Sequence, residues 1–506
     1  MHWLELPPPG SNGVPAFLDG AGAAAWLASQ PQAQPLRMLE ALGEQVRAID
    51  AAAWPGARTL AVLEALRHSI VTLVAAVDSR FLRKSLPLLA EDQRVFTSTQ
   101  QLLSGLGVAY LRLAAHLPPA EKLVPLHRAA IALRQAEFCH FQAAQEMPPQ
   151  LDRWLFGILA QAESAGIQRQ PIRDPEFPEF AESNIAGHVA WAFLLRLVDP
   201  YHLSAAQLAV TNRAFSRWRE MAGFQAMPDD DPKARAVPLE PLFGASLPEG
   251  VPRWLDVRPV ARKMRQRVES LNAGESPESL KLGRELSVAA CIRLFHDLDE
   301  QLRRQLGTPA TEVGEIELLF GADNAYALLA GKSLEVQTLT DKSKAISRQR
   351  MEVFGFDRVS QLPNAVKRLN LPSEVWQQID GQVVRSPSLK ARRQSPCLVA
   401  TPGEGGARLG VLSALRARAD ESLVARLYWY PWRIEACVLK AAAGGSGRLP
   451  AFLMHEEEGL ALLVSPSAGV RLNGELALDE AAVERVVPFE VLERGADFVR
   501  YACAAV

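Results

Sequence analysis

The hydrophobic period of this chain changes once, and that change limits what it can fold into. From Ala21 to about Arg304 apolar residues recur three or four apart, as in Leu60, Leu63, Leu66, Ile70 and Leu73. That spacing lines one face of a helix. From Glu315 onward the pattern shortens to alternating runs broken by Gly and Pro, the signature of short strands joined by turns. Between them lies Leu302-Arg303-Arg304-Gln305-Leu306-Gly307-Thr308-Pro309, a twin arginine where helix gives way to strand. The order predicts an α+β protein: an all-helical N-terminal array, then a small β-barrel region. Such a layout suits a regulatory or binding protein better than a common enzyme fold.

The 506 residues exceed what one hydrophobic core organises. At ~100–200 residues per domain they divide into roughly three units. A net charge of −2 argues against nucleic acid as the main partner, because neutralising phosphates requires a basic face. No apolar run is read as reaching the ~18 residues that cross a bilayer; the longest, such as Ser69–Val77, are short and flanked by charge. The N-terminus, Met1-His2-Trp3-Leu4-Glu5-Leu6-Pro7, has no basic start and no apolar signal core. The expectation is a cytoplasmic protein without membrane insertion. Cys139, Cys291, Cys397, Cys437 and Cys503 are spaced neither as metal pairs nor as redox pairs, which fits reduced, mostly buried thiols.

Residues 1–20 read as an extended Pro- and Gly-bearing arm. Helices are expected at about 21–30, 35–51, 57–78, 90–116, 119–146, 148–165, 184–198, 204–223, 256–271 and 277–304. Short breaks between them imply antiparallel neighbours in a stacked array. Ser204 and Gln207 form a capping box, and Ser276-Pro277-Glu278 is a good helix start. Residues 168–183 and 225–252 read as loops. Glu315–Phe320 reads as a strand before a helix-like Asp323–Leu329. Further strands are expected at 375–384, 396–401, 408–415, 422–428, 433–439, 450–454, 460–464, 470–476, 485–492 and 498–503, with an Ala/Gly/Ser linker at Ala441–Gly447. Together they suggest a small barrel or two barrel-like units.

No catalytic residue, metal site or cofactor is read from the chain. Glu137 and His140 are one helical turn apart, but a di-metal bundle needs that pair twice, so they read as a solvated Glu and a helix-surface His. His455-Glu456-Glu457-Glu458-Gly459 reads as an exposed hairpin turn, and Asp229-Asp230-Asp231-Pro232 as a solvated loop. Lys390-Ala391-Arg392-Arg393 is either a phosphate-gripping cluster or a soluble hairpin tip. Arg303-Arg304 at a helix C-terminus is explained equally by the helix dipole, worth ~0.3–1 kcal/mol, and by a ligand.

At this junction the chain resembles bacterial proteins in which a long helical region precedes a PilZ domain, a six-stranded barrel that binds cyclic di-GMP. The resemblance rests on Asp199-Pro200-Tyr201-His202-Leu203, on Glu315-Ile316-Glu317-Leu318-Leu319-Phe320-Gly321 with Ala327-Leu328-Leu329, on Trp376-Gln377-Gln378-Ile379-Asp380, and on Leu409-Gly410-Val411-Leu412. It implies a helical domain over 21–304, a PilZ-like barrel with an insertion over 305–440, and a C-terminal β extension over 441–506. In such proteins an Arg-x-x-x-Arg motif precedes the first strand, and Asp/Asn-x-Ser-x-x-Gly lies on a later one. Arg forks grip phosphates, the Asp/Asn and Ser groups bond a guanine, and Gly lets the ligand approach the backbone.

The resemblance places ligand contacts at Arg303, Arg304, Asp380 and Gln382. Both motifs depart from the pattern. Gly307 and Thr308 stand four residues beyond the arginines, Gln382 stands for Ser, and Arg385 for Gly. Arg385, Arg392 and Arg393 are the alternative phosphate contacts. Arg348-Gln349-Arg350 is a second candidate for the first motif. The leading expectation is therefore a non-catalytic regulatory or adaptor protein. Its helical domain would meet protein partners, and its cyclic di-GMP binding would be weakened or lost. A helical scaffold that never bound nucleotide and a retained cyclic di-GMP sensor stay open.

Overall fold

The computed structural model describes residues 4–9, 13–31, 33–52, 54–227, 236–243, 248, 251, 254–303, 313–334, 371–403, 406–440, 448–457 and 459–506. They form two compact units, 1–308 with 416–419, and 309–415 with 420–506. The expected segments Asp229–Asp231, Arg348–Arg350 and Ala441–Gly447, together with Arg304, lie outside the described residues.

The first unit is helical. Its helices are α1 (Gly20–Ser29), α2 (Pro35–Ala51), α3 (Gly56–Val77), α4 (Ala90–His116), α5 (Leu123–Ala143), α6 (Pro149–Ser164), α7 (Ile185–Leu197), α8 (Ala205–Trp218), α9 (Glu240–Phe243), α10 (Arg258–Asn272) and α11 (Val288–Arg303). Two small antiparallel sheets interrupt them: β1 (Ile172–Arg173) with β2 (Glu182–Ser183), and β3 (Gly223–Gln225), β5 (Trp254–Asp256) and β4 (Ala236–Pro238) in that order. The capping box at Ser204 and Gln207 forms as expected.

The centre of this unit is α4 against α5. Gly107 on α4 leaves the space that Leu133 of α5 fills; a Cβ there would lie 2.5 Å from the leucine side chain. Because α5 is surrounded, it has no solvated face. Glu137 and His140, expected on the surface, are therefore both buried. His140 instead sets its ring edge-on against Phe96, with centroids 5.1 Å apart.

Two further expectations change. Residues 56–80 are, by length and composition, apolar enough to cross a membrane. In this fold one face of that helix packs inward: α3 buries Val62, Leu63, Leu66 and Ile70, and the ion-paired Arg67 beside them, while Ala61, His68, Thr72 and Ala75 are exposed. The helix expected from 277 begins only at Val288. Upstream, Lys281 (φ +60°) and Gly283 (φ +103°) turn the chain left-handed. Arg213 of α8 fixes that turn by donating to the Leu282 carbonyl and pairing with Glu285 at 2.5 Å.

The second unit holds two closed six-stranded barrels. The first contains β6 (Val313–Phe320), β7 (Glu374–Ile379), β8 (Gln382–Arg385), β9 (Cys397–Thr401), β10 (Arg408–Ala417) and β11 (Leu423–Trp429), ordered β6-β7-β8-β11-β10-β9. Helix α12 (Ala322–Ala330) follows β6. The second contains β12 (Arg433–Lys440), β13 (Arg448–Glu456), β14 (Gly459–Val464), β15 (Leu476–Asp479), β16 (Arg485–Arg494) and β17 (Val499–Ala505), ordered β12-β13-β14-β17-β16-β15. Numbered within each barrel, both run 1-2-3-6-5-4. One apolar cluster joins them through α12: Ala325 and Tyr326 share it with Leu398, Ala400 and Val411 of the first barrel and Phe452, Met454 and Leu463 of the second. The five cysteines are all buried and unpaired with one another.

The helical unit also has a polar core. The Asp174 carboxylate lies between Arg67 (2.6 Å) and Arg128 (2.9 Å). Arg128 Nη1 lies 3.1 Å from His127 Nδ1, and arginine can only donate. His127 therefore carries its proton on Nε2 and donates to Ser183 Oγ at 2.9 Å. Ser183 in turn donates to His188 Nε2 at 3.0 Å. That order keeps both rings neutral.

Burial first, then Arg128, pushes His127 down to about 3, and burial holds His188 well below its ordinary value. Between about pH 3 and the unfolded value near 6.5, the unfolded chain binds a proton that folded His127 refuses. The stability it contributes is complete above that window and is lost as pH falls. Asp152, pushed up to about 6 by burial, works in the opposite direction. Lowering the pH from about 7 to about 5 is therefore expected to cost the wild type ~2 kcal/mol more than a His127→Gln variant in urea unfolding. Equal losses in the two proteins would contradict the assignment of His127 as a buried neutral ring.

Candidate ligand-binding site

Residues 375–384, expected as one strand, form a hairpin. Asp380 (φ +51°) and Gly381 (φ +71°) both take the left-handed conformation, and Ile379 pairs with Gln382. Two central residues with positive φ make a type I′ turn, which matches the twist of its flanking strands and favours Asp-Gly. Asp380 is thus at an exposed hairpin tip, and Gln382 opens β8.

Side chains alternate along a strand, so residues three apart face opposite sides. Gln382 is only half-buried, whereas Arg385 is completely buried on the same face as Val383. The two positions aligned with the second motif therefore do not share a face. Asp380 is also six residues along β7 from Glu374, about 20 Å at ~3.3 Å per residue.

At the open end of the hairpin the arginines meet protein groups. Glu374 lies 3.7 Å from Arg385 and also pairs with Arg393. It accepts from Trp376 Nε1 at 3.0 Å as well. Arg385 donates to the Ala391 carbonyl and lies over the Trp376 ring, while Arg393 stacks 3.8 Å from the centroid of Phe320. Burial pulls the Arg385 guanidinium down from its usual range, and Glu374 opposes that shift. Two donors of Arg385, Nε and Nη2, are buried without a partner. Lys390 and Arg392 are exposed in the same loop.

Arg303 is the last residue of α11. It is about half exposed, at 54%, and pairs with Asp299 one turn back. Arg265 of α10 approaches the same carboxylate at 3.5 Å. Burial is nearly complete at Asp299. Among the described residues, no cluster of His, Cys, Asp and Glu has the makings of a metal site.

Glu374 was not singled out by sequence. The signal that could have found it was Arg385: an arginine at an inward-facing strand position requires a buried counter-ion. Removing that counter-ion leaves Arg385 uncompensated, and breaking a buried pair costs ~3–5 kcal/mol. Glu374→Gln is therefore expected to lower the unfolding free energy by about 3 kcal/mol in urea. A loss within about 0.5 kcal/mol would show that the carboxylate does not hold the cluster.

Residues 21–229 match the protein family described as "Cyclic-di-GMP receptor FimW, N-terminal domain". The match lies within the helical unit, from α1 through β3, and the two barrels lie outside it. No curated protein and no solved structure matches the chain.

Proposed function

We propose that this chain is a non-catalytic regulatory protein of cyclic di-GMP signalling, with a PilZ-like first barrel whose nucleotide binding is weakened or lost. In this reading it works in the cytoplasm, and its helical unit docks protein partners. The family matched by residues 21–229 is described as a cyclic di-GMP receptor, which supports the signalling context. The six-stranded closure of the first barrel accords with the PilZ resemblance.

The observation that carries the weakened-site reading is the commitment of the arginines. Arg303 pairs with Asp299, while Arg385 and Arg393 pair with Glu374. A phosphate would have to displace these carboxylates before it gained anything. Each charged hydrogen bond forgone is worth ~1.5–3 kcal/mol, so two or three remove several orders of magnitude in affinity. Arg385 also fills the position where the motif has Gly.

A retained receptor is the second reading. The family description favours it, and so does the exposure of Asp380, Arg392 and Arg303. Calorimetric titration of the full chain with cyclic di-GMP, beside an Arg303→Ala/Arg304→Ala variant, separates the two. The expected result is a Kd weaker than about 100 μM in both proteins. Low-micromolar binding that disappears in the variant would overturn the proposal in favour of a working sensor.

A further inference from the structure

The helical unit contains a concavity of about 450 Å³ that lies outside the features described above as the candidate site. Arg217 from α8, Lys263 and Arg267 from α10, and Lys281 from the turn before α11 line it, with Trp218 in its wall. Glu275 is the one carboxylate among these lining residues. Four cations against one carboxylate is an unusual balance in a chain of net charge −2.

None of the four is committed elsewhere among the described residues. Lys263 bonds only the neutral amide of Gln266, at 3.3 Å. Among the described residues, no carboxylate lies within ion-pair distance of Arg217, Arg267 or Lys281. The Nε of Arg267 is buried without a hydrogen-bond partner. A buried donor left unmade costs ~1–3 kcal/mol, and an acceptor that reached it would recover that cost.

The wall that presents Lys281 is built rather than loose. Arg213 anchors the turn to α8 through the Leu282 carbonyl and Glu285. Gly283 permits that anchor, because a Cβ at this position would lie 1.8 Å from the Arg213 guanidinium. Lys281 is held at φ +60°, a conformation that L residues other than Asn and Asp rarely adopt. Lys263 and Arg267 sit one helical turn apart on α10, so their charges point the same way. The arrangement is preformed, and its volume falls within the range of small-molecule sites.

We infer that this pocket binds a small molecule carrying at least two phosphate charges, through Arg217, Lys263, Arg267 and Lys281. Arginine forks and lysine point charges together suit a polyphosphate, which presents several oxygens over a short span. The chemistry is shared by a free pyrophosphate and by a nucleotide bearing one, and Trp218 offers apolar wall to a nucleoside. The inference stands apart from the first-barrel reading and requires no cyclic di-GMP binding there.

Calorimetric titration of the full-length chain with inorganic pyrophosphate, with magnesium-free ATP, and with sulfate at matched ionic strength tests it. Pyrophosphate, ATP or both are expected to bind, with sulfate at least about tenfold weaker, ~1.4 kcal/mol. Lys263→Ala/Arg267→Ala is expected to weaken binding about tenfold or more. Lys281→Glu, on an exposed turn, should do the same and provides a second reading if the double variant misfolds. Tighter binding of ATP than of pyrophosphate would assign a nucleotide, and equal binding a free polyphosphate. Absence of heat with both probes, sulfate binding as tight as pyrophosphate, or unchanged affinity in both variants would overturn the inference.

Discussion

A carboxylate that leaves water must be neutralised, and among the described residues three that do so are each met by two arginines. Asp174 lies between Arg67 and Arg128, Asp299 between Arg265 and Arg303, and Glu374 between Arg385 and Arg393. In each case two arginines arrive from different positions in the chain, so the acid also ties elements together. Desolvating a charge costs several kcal/mol and is offset only by good geometry and further hydrogen bonds. Trp376 supplies such a bond at Glu374. The consequence for function is direct. Three arginines that a reader would assign to a phosphate already have internal partners.

The β region answers a different constraint. Exposed strand edges invite pairing with other chains, and closing a sheet removes them. Both six-stranded sheets close, and both do so in the order 1-2-3-6-5-4. Helix α12 then fills the apolar seam that a barrel exterior would otherwise leave to solvent. Tyr326 is buried in that seam and donates to Glu480 of the second barrel at 2.7 Å.

Much of this was legible in the sequence. The change of period near Arg304 predicted helices followed by barrels, and α4, Ala90–His116, has the expected bounds. What escaped depended on contacts distant in sequence. Glu137 and His140 looked solvated because their spacing fits a helix surface, yet α5 is enclosed by its neighbours. Asp380 fits a ligand motif by its sequence, whereas the backbone uses Asp380-Gly381 as a hairpin turn. The helix expected from 277 starts late because Lys281 and Gly283 take left-handed backbone, in a turn where Arg213, far upstream, donates to the Leu282 carbonyl. The shared strand order was invisible because it is a property of pairing, carried by no repeat in the residues. The pocket of Arg217, Lys263, Arg267 and Lys281 left no motif, since its cations come from three separate segments.

The central proposal is that Glu374 holds Arg385 and Arg393 within the first barrel and that the β7–β8 hairpin has no strong nucleotide site. Hydrogen exchange of the full chain, with and without cyclic di-GMP at a concentration that saturates a low-micromolar site, tests it most directly. The account predicts unchanged exchange across residues 374–385 and the loop that follows them. Exchange slowed by about tenfold or more over that hairpin on adding the nucleotide, a stabilisation of ~1.4 kcal/mol or more, would contradict it.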